Sequence, residues 1–422
     1  MALSSLANGV SICLTGKLAE SPGREQEKEL QVENIQILGE CDPKVCSALT
    51  FLVSHIGQKY PIQKQALSVE HLRDYVHLRP RTNTIAAMLR LRSALSRNIS
   101  SYFEDQQAFF NVQSPILTGN DAEGSGETFR IAPVPSSEHD EEFFGLPAHL
   151  TVSSQLHLEA LATSLSRVYT LSPCFRAERS QTSRHLSEFW MLEAEWVDTE
   201  ASSPSGVHNV CSFVEDNLRN IVSPLLRSPD LDELWSEHTL QKRISLEDAI
   251  TSKTPWARMS YTDAIKELGF HHSTRQPFEF TPKWGSSLQS EHERWLAESL
   301  IKGPVFITDY PKSLKPFYMR ANPTADGSDQ TTVACFDLII PYIGELVGGS
   351  VREERAEVLE ANLGESGMSV EDYQWYLDLR RYGGFPHLGF GMGFERLVAW
   401  VGGIENVREC IAMPRWAGRM GL

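Results

Sequence analysis

In the run PHLGFGMGFERLVAWVGG at 386–403, glycine falls at every second position, at Gly389, Gly391 and Gly393. A period of two belongs to a strand, so one face of this strand carries no side chains. Glycine weakens a strand interior, and the usual reason to keep it there is close approach of a ligand or of another backbone. Glu395 and Arg396 then open a helix whose Leu397, Val398 and Val401 face a core. The spacing is GxGxG and lacks the third glycine of a dinucleotide fingerprint, which excludes a Rossmann reading. Taken alone, the segment leaves packing and nucleotide binding equally open. Strand-like segments recur at 112–118, 129–132, 149–152, 168–177, 187–197, 304–308, 316–320, 333–340, 345–350 and 386–392. Helical periodicity marks 85–103, 155–165, 206–221, 259–268, 289–301, 351–363, 370–379 and 394–401. Adjacent strands mixed with separate helices predict an α+β fold with a mainly antiparallel sheet.

Two further segments place charge on such a sheet. In YTLSPCFRAERSQTSRHLSEFWMLEAEW (169–196), two strand-like runs flank a polar loop. Arg176 and Glu178 are two residues apart and share a face; so do Phe189, Met191, Glu193 and Glu195. The loop adds Arg179, Arg184 and His185. A cation, an aromatic plate and carboxylates on one face suit a polyanion that bears a purine, beside an ammonium group. A solvated hairpin with surface ion pairs is the alternative, weakened by a phenylalanine among the charges. In ACFDLIIPYIGELVGGSVREER (334–355), a hairpin turning near Pro341 puts Asp337 and Glu345 at mirrored positions. Like charges directly opposite destabilise a sheet unless a cation lies between them. Oxygen donors without Cys or His suit Mg2+.

The net charge of −16 excludes coating of nucleic acid by bulk charge, so any RNA contact needs a local basic surface. Seven scattered cysteines without a CxxC pair read as reduced thiols, with no structural zinc. The longest apolar run, Ala48–Val53, is far short of the roughly 20 residues of a membrane span, so no membrane partner is expected.

Together these segments resemble the three signature motifs of class II aminoacyl-tRNA synthetases, and within them the asparaginyl-tRNA synthetases. The first signature is FFNVQSPILTGNDAEGSGETFRI (109–131), the second the FRAE–RHLSEF hairpin, the third GFGMGFERL. LTVSSQLHLEALA (150–162), WGSSLQSEHER (284–294), ITDYPKSLKPFYMR (307–320) and LRRYGGFPHLGFG (379–391) agree, and the likeness runs from about Leu6 to Arg415. It implies a class II catalytic domain at 84–422, an antiparallel sheet flanked by helices, after a linker at 61–83 and a partial OB-type barrel at 1–60. It implies ATP and Mg2+ as cofactors, with asparagine, tRNA(Asn) and a second copy of the chain as partners. Pro115 would lie in the homodimer interface. Arg176 would bind the amino-acid carboxylate and the α-phosphate, Glu178 the adenine amino group, and His185 the terminal phosphates. Phe189 and Arg396 would sandwich the base, and Asp337 and Glu345 would hold Mg2+. Glu159 would accept the side-chain amide N–H and repel aspartate, and Arg352 would bind the amide oxygen. Gln155 and Glu193 would take the substrate ammonium. The substrate carboxylate is itself the nucleophile, so no general base is required.

The chain departs from that pattern at its start. It begins at what reads as the last third of the barrel, and before Tyr60 the sole aromatic is Phe51. Residues 1–82 hold nine basic and nine acidic side chains, so no basic surplus is expected to replace stacking platforms. A loosely packed segment 1–60 is expected, with adenylate formation near normal and tRNA charging impaired. Val45–Gln58 interrupts a polar linker with apolar residues, as an unspliced short intron would. That reading implies a eukaryotic source and, with bacterial-type motifs, action in the mitochondrial matrix, with the cytoplasm as the alternative. Three other readings stay open: a paralogous asparagine synthetase that amidates aspartyl-adenylate, a truncated regulator, and an aspartyl-tRNA synthetase paralogue. Glu159 disfavours the first. The retained ATP-binding pattern disfavours the second.

Overall fold

The computed structural model describes residues 6, 8–23, 26–41, 60–62, 67–119, 127–132, 142–180, 182–275, 277–323 and 330–421. The chain divides into two compact units, Met1–Ala86 with Gly421–Leu422, and Ala87–Met420. In the first, β1 (Ser11–Glu20) and β2 (Lys28–Gly39) form an antiparallel ribbon. The ribbon carries a β-bulge: Thr15 faces Asn34 and Gly16 faces Val32, leaving Glu33 as the extra residue. A side chain at position 16 would meet the Gln31 carbonyl oxygen at 2.1 Å, so the bulge requires glycine there. Ile12, Leu14, Leu18, Leu30, Val32 and Leu38 of the ribbon are exposed. The segment Val45–Gln58 lies outside the described residues.

The second unit is built on one sheet. Its strands are β3 (Phe110–Asn111), β7 (Arg167–Phe175), β8 (Glu188–Val197), β9 (Ala257–Ser260), β10 (Val305–Thr308), β11 (Cys335–Ile340), β12 (Gly344–Val351) and β13 (His387–Gly393). Their order is β3-β7-β8-β13-β12-β11-β10-β9. All neighbours are antiparallel except β3–β7 and β10–β9, which agrees with the α+β expectation. A small sheet adds β4 (Leu117–Thr118), β5 (Arg130–Ile131) and β6 (Ala148–Leu150) in the order β4-β6-β5.

Period-two alternation decides what each face does. On β8, Leu192, Ala194 and Trp196 are buried, and on β13 Leu388, Phe390 and Met392 are buried. Trp196 and Phe390 pack with Phe103, Phe109 and Phe213 in an aromatic cluster. Phe213 belongs to the helix Gly206–Val222, whose apolar stripe includes Val210, Val214, Leu218 and Ile221, all fully buried. The helix Asn83–Ser100 buries Met88, Leu91, Leu95 and Ile99, the predicted stripe. The opposite face of β8 and β13 is left for chemistry.

Two sequence expectations are corrected, and two elements were missed. Residues 112–118 do not form one strand, because the chain leaves β3 and re-enters sheet pairing at β4. Residues 316–320 form no strand; Met319 makes an isolated bridge to Arg352. The strand β9 and the helix Leu240–Thr251 lack a clear periodic signal and were not anticipated. No described cysteine is in a disulfide, and no described helix is long and apolar enough to cross a membrane.

Candidate active site

The chemistry-bearing face borders a cavity of about 370 Å³. Residues from strands, helices and loops reach it: Arg176, Glu178, His185, Phe189, Met191, Glu193, Asp337, Glu345, Arg352 and Arg396 among them. Register explains why. In the β8–β13 pairing, Met191 faces Gly393, Glu193 faces Gly391 and Glu195 faces Gly389. Each glycine lies beside a large side chain of the neighbouring strand. A Cβ at Gly389 would fall 2.2 Å from the Glu195 carboxyl carbon, so this glycine makes room for a buried carboxylate. Gly391 and Gly393 border the cavity itself. The alternation therefore packs closely at one glycine and opens onto the cavity at the other two.

Arg176 follows β7, and its backbone N–H donates to the Ser187 carbonyl at 3.0 Å, which extends the hairpin ladder by one residue. Its guanidinium lies 5.5 Å from the Phe189 ring centre and 3.9 Å from Glu178. His185 Nε2 lies 3.5 Å from Glu178, while Nδ1 meets Ser180 and Thr182 hydroxyls at 3.1 and 2.5 Å. Burial lowers the His185 pKa; Glu178 opposes that, and Arg396 and Arg176 reinforce it. Arg396 opens the helix Phe394–Gly402 and donates to the Glu345 carbonyl at 2.6 Å. Its neighbour Glu395 is turned the other way, accepting from the Trp190 N–H at 2.9 Å and lying 2.7 Å from Arg92.

Asp337 and Glu345 do not sit directly opposite. A bulge at Leu346 pairs Asp337 with Gly348 and Ile339 with Glu345. The two carboxylates nevertheless converge, because a Cβ at Gly348 would lie 3.4 Å from Glu345 Oε1 and 3.5 Å from Asp337 Oδ1. The missing side chain leaves a cradle lined by two oxygen donors, which fits a hard divalent cation. Lys315, missed from the sequence although its segment stood out, donates to both Asp337 oxygens at 2.8 and 2.7 Å. Burial pushes the Asp337 pKa up, Lys315 pulls it down and Glu345 raises it again. Among the described residues no group of three metal-ligating side chains exists, so a cation here would draw further ligands from substrate phosphates or water.

The deepest part of the site is a buried ionic cluster. Glu193 is 3% exposed; its carboxylate accepts from the Ser153 hydroxyl and from the Ser154 N–H at 2.9 Å. Burial raises its pKa, and those two donors oppose the shift. Arg352 also lines the cavity and is forked onto Glu195 through Nε at 3.2 Å and through Nη2. Burial pushes Glu195 upward, Arg352 pulls against it and Glu159 adds to it.

Glu159 lies behind the cavity wall. It is 1% exposed and does not line the active-site cavity. Its oxygens accept from Tyr376 at 2.7 and 2.8 Å, Arg380 at 2.6 Å, His387 at 2.9 Å and Gln155 Nε2 at 3.0 Å. A carboxylate offers about four acceptor positions, so none is left for a substrate N–H. Although burial acts to raise its pKa, the surrounding Arg380, His387 and Arg352 hold it far below the usual carboxylate range. Gln155 does line the cavity; one N–H of its side-chain amide donates to Glu159, which orients the amide and leaves its carbonyl oxygen open to a ligand. Pro115 lies away from the cavity, exposed between β3 and β4.

Residues 68–417 match the family described as tRNA synthetases class II (D, K and N). The chain belongs to this family. This synthetase is 42% identical to an asparagine–tRNA ligase of Protochlamydia amoebophila over 429 residues, covering 99% of the chain and 85% of that relative. It is also 42% identical to the chloroplastic/mitochondrial asparagine–tRNA ligase of Arabidopsis thaliana, covering 97% of the chain and 71% of that protein. Its fold is similar to the asparaginyl-tRNA synthetase of Pyrococcus horikoshii complexed with asparaginyl-adenylate, with a TM-score of 0.80 and 30% identity. That match covers 99% of this synthetase and 85% of the archaeal chain.

Proposed function

We propose that this synthetase uses ATP to convert asparagine to an asparaginyl-adenylate and transfers it to tRNA(Asn). The observation that carries this reading is that one cavity contains both the Arg352–Glu193 corner and the Arg176–Phe189–Arg396 set. A carboxamide presents an N–H and a carbonyl, which a buried carboxylate and a guanidinium match as acceptor and donor. An aspartate side chain would set its charge against Glu193. The carboxylate that reads the amide is therefore Glu193 rather than Glu159, and Gln155 is left to accept from the substrate ammonium. The asparagine named for the relatives supports the same substrate.

In this reading Arg176 spans the substrate carboxylate and the α-phosphate and offsets the charge of the pentavalent transition state. Phe189 and Arg396 hold the two faces of adenine, Glu178 accepts from its amino group, and His185 reaches the terminal phosphates. Asp337 and Glu345 would hold Mg2+, which would neutralise triphosphate charge. The remaining catalytic contribution is alignment of the carboxylate oxygen with the α-phosphorus. ATP–pyrophosphate exchange measured with asparagine, aspartate and lysine tests the assignment. Exchange with asparagine alone is expected, and a preference for aspartate or lysine would overturn it.

Glu159 acts here through Gln155 and Arg352, from whose Nε it lies 4.0 Å. Glu159→Gln is expected to raise the KM for asparagine about tenfold or more, since a charge-assisted hydrogen bond contributes roughly 1.5–3 kcal/mol. The KM for ATP should move less than about twofold if the two ends of the site act independently. Parallel changes in both constants would show a general loss of structure instead.

We also propose a homodimer formed through the segment around Pro115. Phe110, Ile116, Leu117 and Phe129 expose large apolar surfaces there, more than isolated surface residues require. Ile116→Asp should shift the protein to a monomer in light scattering at micromolar concentration; an unchanged mass would place the interface elsewhere. An organellar site of action is part of the same reading, in keeping with the compartment named for the Arabidopsis relative.

A further inference from the structure

Arg184, Arg396 and Val407 border the active-site cavity and also border a second cavity of about 370 Å³. The second cavity adds Arg294, Lys242 and Glu298 to its lining. In a chain of net charge −16 this is an unusual concentration of arginine. The carboxylates nearby are already engaged. Glu405 holds Lys242 at 2.7 Å, Glu293 lies 3.4 Å from Arg184, and Glu298 accepts from the Tyr342 N–H at 2.9 Å. Arg396 bonds a carbonyl oxygen, and Arg294 has no ion pair among the described residues. Arg294 also lies close enough to Arg184 for the two charges to repel, a cost that a bound anion would relieve.

We propose that the second cavity receives inorganic pyrophosphate as adenylate formation releases it, with Arg294 the cation of this cavity that is left without an ion pair among the described residues. The inference rests on the reading above that puts the terminal phosphates of ATP near His185 and Arg396. Attack of the asparagine carboxylate oxygen forms a bond to the α-phosphorus. The bond from that phosphorus to the bridging oxygen breaks, and the oxygen leaves with the electron pair as part of pyrophosphate. No proton and no co-reactant are needed for the balance. The adenylate phosphate and pyrophosphate then share one cavity, and the repulsion between these phosphate charges favours departure of pyrophosphate across the arginine wall into the second. Phosphate groups of the tRNA backbone present the same chemistry and are the competing source.

Arg294 is exposed and Ser245, on the same cavity, is half-buried, so both tolerate substitution without loss of core. Pyrophosphorolysis of the enzyme-bound adenylate yields the KM for pyrophosphate. Arg294→Ala is expected to raise it about tenfold, the effect of losing one charged hydrogen-bond donor. Ser245→Trp, which fills the cavity and leaves every arginine in place, should raise it as well. The KM for tRNA should not follow. A pyrophosphate KM unchanged in both variants overturns the proposal, and so does a rise confined to the tRNA KM. Calorimetric titration of the full chain with pyrophosphate separates this idea from the functional reading. Weaker binding to the Arg294→Ala protein supports it whatever amino acid is activated, and equal binding overturns it. Absence of asparagine-dependent exchange in the wild type would instead count against the functional reading.

Discussion

Arg176→Ala is expected to lower asparagine-dependent ATP–pyrophosphate exchange by about 10²–10³-fold while the protein stays folded. Removing one preorganised donor to a developing charge costs about 3–4 kcal/mol in comparable sites. The side chain is two-thirds covered, lies over Phe189 and supports no core layer, so its loss should leave the unfolding midpoint nearly unchanged. Arg176→Lys should recover little, because an ammonium cannot span two acceptors as a planar guanidinium does. Exchange within threefold of wild type in Arg176→Ala would remove this residue from the reaction.

Arg352→Ala should have a second, different signature, losing both stability and amino-acid binding. Arg352 is 2% exposed and is forked onto the fully buried Glu195. Breaking a buried pair by removing one partner costs about 3–5 kcal/mol, since the remaining charge is left uncompensated. Urea unfolding should register that loss, and the KM for asparagine should rise together with it. Replacing both partners, as Arg352→Met with Glu195→Met, should recover much of the stability without recovering asparagine binding. A single variant that unfolds at the wild-type urea concentration would show that the cluster is not ionised as described.

The lesson of the site lies in the contrast between Glu193 and Glu159. Both are acidic residues in recognisable signature segments, and the sequence alone assigned the side-chain amide to Glu159 and the ammonium to Glu193. Its engagement depends on Tyr376, Arg380 and His387, more than 200 residues away in the chain. Lys315 illustrates the same limit. Its segment was conspicuous, but its role follows from reaching Asp337 across the fold. The bulge at Leu346 is also invisible to a count of mirrored positions, since one extra residue shifts the register of every later pair.

What the sequence by itself determined is local and periodic. Alternation of two put Phe189, Met191 and Glu193 on one face and Leu192, Ala194 and Trp196 on the other. The alternating glycines marked the strand beside them, and the stripe Met88, Leu91, Leu95 and Ile99 marked a packed helix. These follow from backbone geometry, which acts over a few residues and is written in their spacing. Tertiary structure alone decided which carboxylate faces the cavity, which is sealed beneath it, and that two cavities share an arginine wall. Those outcomes depend on desolvation and on charge partners supplied by distant segments. Both are properties of a position in the folded molecule rather than of a residue in the chain.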